Sequence, residues 1–248
     1  MIIRRILLAC LLAAAVPPVA SASGDVLDEI TVLATRRPVG IESVSAAVAT
    51  VDSDDVVSAK LTTDALRDLV GVNLQQTTPG QGAAIIRGLK GSAVLHLVDG
   101  MRLSNAMFRT APTPWFALVP ASSVERLEVI RGTPASLYGS EAVGGVVQSV
   151  SRLPNFDSEQ MGYAGDVVAT FDSAELQKSV RATIDLGTRR LSSSLSAEYP
   201  QTGDRRVGGG QRLGPSAYSA KAMRAVVRGR PSDVRSWYVD LHFLEQPD

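Results

Sequence analysis

Beyond Pro154 the chain alternates regularly between apolar and polar residues. Successive side chains of a β-strand point to opposite faces, so the alternation predicts strands with one apolar face and one polar face. The four clear runs have the apolar members Tyr163, Val167, Ala169 and Phe171; Val180, Ala182, Ile184 and Leu186; Leu191, Leu195, Ala197 and Tyr199; and Trp237, Val239, Leu241 and Phe243. A further strand is expected over 218–229, where Arg224 interrupts the alternation. The pattern therefore predicts about five antiparallel strands over residues 155–248.

The lengths of these runs and of their connections indicate which β architectures fit the pattern. Each run is close to the roughly 9–11 residues with which a tilted strand crosses a bilayer. The connection at 187–190 is short, the one at 200–217 is long and glycine-rich, and the one at 229–233 is short again. Outer-membrane barrels have short periplasmic turns and longer outer loops. A soluble β-sandwich would give a similar alternation, so both architectures remain open at this point.

Residues 45–154 have a mixed pattern that predicts an α+β domain. Strands are expected at 47–51, 84–88, 94–98, 126–131 and 144–150, and a short helix at 63–70 that ends at Gly71. Asp99-Gly100 between two short apolar runs is a strong hairpin signal. A domain of about 110 residues is long enough to have a core of its own.

The first 22 residues have the layout of a secretory signal peptide. Arg4 and Arg5 precede an apolar run over 6–16, and Ala20-Ser21-Ala22 supplies small residues for cleavage. The apolar run is too short to span a bilayer. The only cysteine, Cys10, would leave with this peptide, so we expect no disulfide and no thiolate metal site in the mature chain.

Residues 23–44 are polar apart from one short β-prone run. Such a run is well suited to adding a strand to the sheet edge of a partner. The alternative is a disordered N-terminal tail. The run consists of Ile30, Thr31, Val32, Leu33 and Ala34.

Charge and motifs exclude several classes of function. The formal net charge is zero, which gives no field for binding nucleic acid. The two histidines, His96 and His242, stand in predicted strands, and no nucleophile elbow, dinucleotide fingerprint or phosphate loop is present. We therefore expect neither an enzyme nor a protein with a resident cofactor or metal.

Four motifs occur in a characteristic order behind the predicted signal peptide. They are Ile86-Arg87-Gly88; Leu97-Val98-Asp99-Gly100; Val124-Glu125-Arg126-Leu127-Glu128-Val129-Ile130-Arg131-Gly132; and Tyr138-Gly139-Ser140-Glu141-Ala142-Val143-Gly144-Gly145-Val146-Val147. In this order they resemble the plug motifs of TonB-dependent outer-membrane receptors. The resemblance is close over residues 28–152 and extends over 155–248 only as a strand pattern. Proline at 134 rather than 133 is a departure from the family pattern.

The resemblance implies an architecture and a mechanism. We expect an α+β plug domain (mixed sheet with short helices) at 45–154, followed at 155–248 by the first antiparallel strands of an incomplete transmembrane β-barrel. In the family, a barrel of about 22 strands surrounds the plug, and the TonB C-terminal domain grips a TonB box, here residues 30–34. The partners implied are TonB, outer-membrane lipid and a small-molecule metal chelate.

The family also implies a substrate class and contact residues. Iron–siderophore complexes or haem are the expected cargo, with cobalamin as the alternative. Arg87 and Arg131 resemble arginines that pair with barrel glutamates; otherwise both are exposed turn residues. Ligand contacts are expected from the loop 75–83 and from the stretch after the hairpin. The candidate ligand-binding residues are Arg102, Asn105, Phe108, Arg109 and Trp115, of which Phe108 and Trp115 could instead pack between plug and barrel.

The segment after Pro154 is much too short for a complete barrel of this family. We therefore expect the chain to be an N-terminal fragment or truncated product that cannot transport alone. A transport-incompetent plug that acts as a periplasmic ligand-binding module is the competing hypothesis.

Overall fold

The structure is a computed structural model. It describes residues 30–31, 39–59, 61–76, 80–103, 114–173, 175–232 and 234–246. The first half of the chain contains β1 (Ile30–Thr31), β2 (Val39–Gly40), β3 (Ala47–Asp52), α1 (Ser53–Ser58), β4 (Val72–Gln75), β5 (Ala83–Ile86), β6 (Val94–Val98), β7 (Met101–Arg102), β8 (Val124–Arg131), α2 (Ala135–Tyr138) and β9 (Gly145–Ser151). Short 3-10 turns lie at Ile41–Ser43, Asp64–Leu66, Gly91–Ala93, Pro114–Leu118 and Ala121–Ser123.

Residues 41–151 form what we call the central domain, built on a five-stranded mixed sheet. The strand order is β3-β8-β9-β6-β7, and only the β6–β9 pair is parallel. A separate hairpin pairs β4 with β5. The core lies between the sheet and the short helical turns, and its fully buried side chains include Leu66, Ile86, Phe116, Leu127 and Val129. This confirms the predicted α+β class.

The helix predicted over 63–70 is wrong in extent. A single 3-10 turn spans Asp64–Leu66, and its N-cap residue Thr63 makes no capping hydrogen bond. The chain has to reverse soon afterwards, because Gly71 (φ 79°) leads directly into β4. An unpredicted helix, α1, occurs instead at Ser53–Ser58, with Asp54 and Asp55 in its first turn, where acidic side chains favour the helix dipole. None of the described helices is long and apolar enough to cross a membrane.

The second half of the chain forms a separate antiparallel sheet, which we call the wall sheet. Its strands pair in the order β10-β11-β12-β16-β17, with the short β15 beside the end of β12. The sheet is open, with β10 and β17 at its edges. The bounds are β10 (Gly162–Asp172), β11 (Gln177–Gly187), β12 (Leu191–Thr202), β15 (Tyr218–Ser219), β16 (Lys221–Ser232) and β17 (Arg235–Glu245), and β13 (Arg205–Arg206) and β14 (Arg212–Leu213) form a small hairpin in the long connection.

The wall sheet has an apolar outer face and a polar inner face. Side chains in register across the strands form rows, and a central outward row consists of Gly165, Ile184, Leu195, Ala225 and Leu241. Outward apolar residues are largely exposed, whereas the inward residues of β11 and β12 are buried although they are polar. This is the reverse of a sheet whose apolar face covers a core, and the predicted alternation is confirmed.

The expectation that Arg224 breaks the pattern of its strand is wrong. Arg224 is buried on the inner face, in the row that contains Thr183 and Ser196. Its neighbours Met223 and Ala225 point outward. The parity is therefore intact, and the inner face accepts a charged residue because other polar groups pair with it.

Candidate functional site

A buried ion pair of the wall sheet makes hydrogen bonds to the central domain. Arg181 on β11 and Glu198 on β12 are directly opposed, with 3.3 Å between Nε and Oε1 and side-chain exposures of 2% and 6%. We call this pair the clasp. An ion pair removed from water needs further hydrogen bonds to offset desolvation, and the clasp obtains them from the central domain.

The clasp holds two backbone segments. The Arg181 guanidinium donates to the Val57 carbonyl and, over 3.1 Å, to the Ala59 carbonyl at the end of α1. The Ser122 amide donates to Glu198 Oε2 over 3.0 Å. A cation at the C-terminal carbonyls of a helix is electrostatically favourable. The inner face of the wall therefore recognises backbone polar groups of the central domain.

A second polar junction lies where the chain passes from β9 to the wall sheet. Arg152 pairs with Asp185 at 2.5 Å, and the Arg152 carbonyl accepts a 2.8 Å hydrogen bond from Arg224. Arg224 also pairs with Asp240 at 2.7 Å. The Ser192 hydroxyl donates to the Pro154 carbonyl over 2.9 Å. The clasp therefore holds the central domain against the inner face, and these contacts hold the connection that follows it.

A cavity of about 820 Å³ opens between the central domain and one end of the wall sheet. We call it the seam cavity. Residues of α1, of the segment 61–80 and of the hairpin ends of β10, β11 and β12 line it. It includes Gln76 and Gly80 from the predicted ligand loop 75–83. Gly80 (φ 73°) lies so close to the Tyr218 ring that a Cβ atom would overlap it, which explains why glycine is needed there.

The lining of the seam cavity is acidic. Among the described lining residues, five acidic side chains face two basic ones. Asp64 pairs with Arg67 at 2.6 Å, and Glu175 pairs with Arg205 at 3.2 Å. The other acidic members are Asp55, Asp68 and Asp172, which give the lining a formal excess of three negative charges. Acidic side chains therefore outnumber basic ones among the described residues that line the cavity.

One lining residue, Gln177, has an enclosed side-chain oxygen without a hydrogen-bond partner among the described residues. Gln177, at the start of β11, is 4% exposed, and its Oε1 atom has no hydrogen-bond partner within the described part of the chain. Leaving a buried acceptor unpaired costs about 1–3 kcal/mol. No group of three or more metal-ligating side chains was found among the described residues.

Arg87 and Arg131 lie close together at one end of the central domain. Arg131 donates to the Val70 carbonyl over 2.7 Å and to the Val48 carbonyl over 3.4 Å. Arg87 is exposed, with a positive φ of 50°, and its Nη1 lies near Gly132. Arg131 therefore supports the loop before β4, and the pairing of either arginine with a barrel glutamate stays a prediction.

Only part of the predicted ligand contacts fall on described residues. Arg102 pairs with Glu141 at 3.2 Å and also donates to the Tyr138 carbonyl, so its guanidinium supports the turn after α2. Asn105, Phe108 and Arg109 lie outside the described residues, as does the side chain of Trp115, whose backbone is in the turn Pro114–Leu118. Their contact with a ligand stays a prediction.

The predicted TonB box is described only at its start. Ile30 and Thr31 form β1 and pair antiparallel with Gly40 and Val39. Val32, Leu33 and Ala34 lie outside the described residues. The backbone at the start of the box is therefore in the extended conformation that strand addition requires.

His96 is a packed core residue. Its ring lies 5.4 Å from that of Phe116, and burial lowers its pKa to about 4. It is neutral at physiological pH, since an unperturbed histidine titrates near 6.5. Sequence analysis did not identify Arg181 and Glu198 as contacts between the wall sheet and the central domain, although both stand at inward positions of the predicted strands.

Comparisons with known proteins agree with this architecture. Residues 41–146 match the family model described as TonB-dependent Receptor Plug Domain. The chain is 31% identical over 188 residues, 71% of its length, to the vitamin B12 transporter BtuB of Vibrio vulnificus, of which it covers 30%. It is 33% identical over 127 residues, 50% of its length, to BtuB of Photobacterium profundum, of which it covers 20%.

Solved structures have the same fold over the matched part of the chain. A variant of the ferric enterobactin receptor PfeA of Pseudomonas aeruginosa has a TM-score of 0.59 at 25% identity, over 82% of this chain and 33% of that one. The copper transporter OprC has a TM-score of 0.64 at 19% identity, over 75% of this chain and 28% of that one, which shows the fold alone. The chain thus spans about a third or less of the relatives it matches. Their names are those of transporters and receptors, in line with the expectation that the chain is not an enzyme.

Proposed function

Since the chain belongs to the family of TonB-dependent receptors, we propose that it serves the TonB-driven uptake of a metal chelate across the outer membrane. The observation that carries this proposal is the wall sheet itself. Its polar inner face is buried on the central domain, and its apolar outer face is exposed. In a membrane barrel filled by a plug, the outer face contacts lipid and the inner face contacts the plug.

The aromatic residues of the outer face support a membrane location. Tyr163 and Trp237 lie near the end of the wall sheet that carries the short connection 188–190, and Phe171, Tyr199 and Phe243 lie towards the opposite end, which carries the long connection 203–217. All five are exposed. Outer-membrane barrels carry such aromatic girdles on both sides of an apolar band about 25 Å tall. We also propose that residues 1–22 direct export of the chain and are then cleaved.

Two observations support the proposed substrate class: the names of the relatives and the position of the seam cavity. The cavity lies at the end of the wall sheet with the long connection 203–217, and long connections of such barrels face outward. Two of the matched proteins are called vitamin B12 transporter and ferric enterobactin receptor. Both names denote a metal chelate, and iron–siderophore, haem and cobalamin complexes are the candidates for this chain.

The TonB C-terminal domain is the proposed energy-coupling partner. Residues 30–34 would add to its sheet edge through backbone hydrogen bonds, as the extended Ile30 and Thr31 allow. We expect Val32→Pro, introduced into the gene of the native host, to abolish energised chelate uptake, because proline removes a backbone donor and disfavours the paired strand. Uptake of labelled vitamin B12 and of a labelled ferric siderophore measures this.

Val26→Pro, in the same polar segment but outside residues 30–34, is the matched control and should transport normally. Chelate binding to the Val32→Pro protein should equal that of the unchanged protein, since the described residues of the box, Ile30 and Thr31, are not among those that line the seam cavity. Normal uptake by the Val32→Pro protein would contradict the proposed coupling.

A further inference from the structure

We propose that one end of the wall sheet binds the phosphate headgroup of an anionic phospholipid. This end carries the connections 188–190 and 233–234, and we call it the arginine end. The inference rests on the proposed membrane location of the sheet and names the class of lipid that the protein selects there. Two features carry it: the level of Arg235 in the membrane and a recess beside it that contains further arginines.

Arg235 lies on the outer face of the wall sheet, where the apolar band ends. It is the first residue of β17 and Glu245 is the last, and both are exposed. Since a strand rises about 3.4 Å per residue and barrel strands tilt by about 35–45°, these two charged residues are about 26 Å apart along the membrane normal. The apolar band of such barrels is about 25 Å tall, so Arg235 lies at the level of lipid phosphates. The outward residues between them are Trp237, Val239, Leu241 and Phe243.

A recess of about 630 Å³ lies beside Arg235. Arg235 pairs in the sheet with Ser232, which lines this recess. Arginine is well suited to phosphate, because its planar guanidinium can donate two parallel hydrogen bonds to it. The charged residues of the lining are Arg189, Arg190 and Arg230, with Asp157 and Glu159.

Arg230 brings a fixed positive charge to the recess. The strand has a register shift between Gly229 and Ser232, and such bulges change the direction of a side chain. The Arg230 guanidinium donates to the Arg189 carbonyl over 3.0 Å and to the Phe156 carbonyl over 2.8 Å. No carboxylate among the described residues forms an ion pair with Arg230. The two carbonyls therefore orient this guanidinium without neutralising it.

The carboxylates of the recess offset its positive charge only weakly. Glu159 pairs with Arg190 over 3.3 Å, and both side chains are more than half exposed. Asp157 is also exposed. An exposed ion pair in water contributes little to stability, so a phosphate can replace Glu159 as the partner of Arg190.

Apolar residues beside the arginines indicate a lipid rather than a soluble anion. Trp237 lies two residues from Arg235 on the same face of β17, and tryptophan favours the interface between membrane and water. Val234, in the connection itself, is almost fully exposed. A phospholipid can therefore place its phosphate at the arginines and its acyl chains along the outward apolar residues.

Competitive quenching of Trp237 tests the site on the full chain in vesicles. With Trp115→Phe, Trp237 is the one remaining tryptophan of the sequence. The vesicles contain phosphatidylcholine and phosphatidylglycerol, and either one lipid or the other carries brominated acyl chains. We expect phosphatidylglycerol to quench as if it were enriched about fivefold over its mole fraction, and the enrichment to fall as salt is added.

Three variants test the charges individually. Arg190→Gln with Arg235→Gln, both at exposed positions, should reduce the enrichment to less than about twofold. Glu159→Gln removes the competing carboxylate and should raise the enrichment about twofold, which a loss of structure would not do. The matched control, Lys178→Gln with Lys221→Gln, removes two exposed cations from the opposite end of the same face and should leave the enrichment unchanged.

The outcomes separate the headgroup site from the membrane location on which it rests. Equal quenching by the two lipids, or the same loss in the control variant, overturns the site and leaves the membrane location standing. Loss of the enrichment when inorganic phosphate is added at constant ionic strength would show a site for soluble anions and overturns the lipid assignment. Absence of quenching by either lipid overturns the site together with the membrane location.

Discussion

Replacing Glu198 by alanine should destabilise the protein by about 3–5 kcal/mol, the expected loss when one partner of a buried ion pair is removed. The Arg181 guanidinium, 2% exposed, would keep its charge without a counter-ion. The Ser122 amide would also lose its acceptor. The free energy of unfolding from a denaturant titration in detergent measures the effect.

Two comparisons make this prediction specific. Glu245→Ala breaks the exposed pair with Lys221, 3.6 Å apart, and should change stability by less than about 1 kcal/mol. Combining Glu198→Leu with Arg181→Met should recover much of the loss, since an apolar replacement of both partners removes the unpaired charge. A loss below about 1 kcal/mol for Glu198→Ala would show that the clasp does not hold the central domain.

Leu195→Arg should prevent stable assembly in the membrane although Leu195 is 51% exposed. Leu195 lies in the central outward row, midway between Leu191 and Tyr199 on β12. An arginine at the bilayer midplane of a barrel costs about 2–4 kcal/mol. If this face were in water, the same change would alter stability by less than about 0.5 kcal/mol. The amount of protein recovered in the outer membrane and its denaturation midpoint in lipid vesicles report the difference.

Leu213→Arg is the matched control. Leu213 is 56% exposed but belongs to the small hairpin in the long connection, outside the wall sheet. It should tolerate arginine. Equal effects of the two substitutions, or none for Leu195→Arg, would contradict a lipid-facing outer surface.

Strands were more predictable than helices in this chain because their signal is local. The alternation of Val180, Ile184 and Leu186 with polar residues determines both faces of β11 without reference to any distant segment. The Asp99-Gly100 turn was also predictable, since both residues adopt the positive φ (49° and 79°) that a type I′ hairpin requires.

The helical segments depended on tertiary context. Asp54 and Asp55 lie in the first turn of α1, whose Val56 is fully buried in the core and whose last carbonyls bind Arg181. The turn at Asp64–Leu66 stays short because Leu66 is buried and Gly71 redirects the chain. Local helix propensity alone indicates neither the burial of these side chains nor the change of chain direction at Gly71.

The contacts of the candidate site were the least predictable. The inward position of Arg181 follows from strand parity, but parity does not show what covers that face. Its partners Val57 and Ala59 are more than a hundred residues away in sequence. Likewise, the loop 75–83 was a predicted ligand contact, whereas Gln177 becomes part of the same cavity only through the packing of the two sheets.

The central claim is that the apolar face of the wall sheet lies in lipid while its polar face holds the central domain. Tryptophan fluorescence tests it directly, because the chain has two tryptophans and Trp115→Phe leaves Trp237, which lies on the outer face. In vesicles, lipids brominated on their acyl chains should quench Trp237 strongly, and aqueous acrylamide should quench it weakly. Strong quenching by acrylamide without quenching by brominated lipid would contradict the membrane location of the sheet.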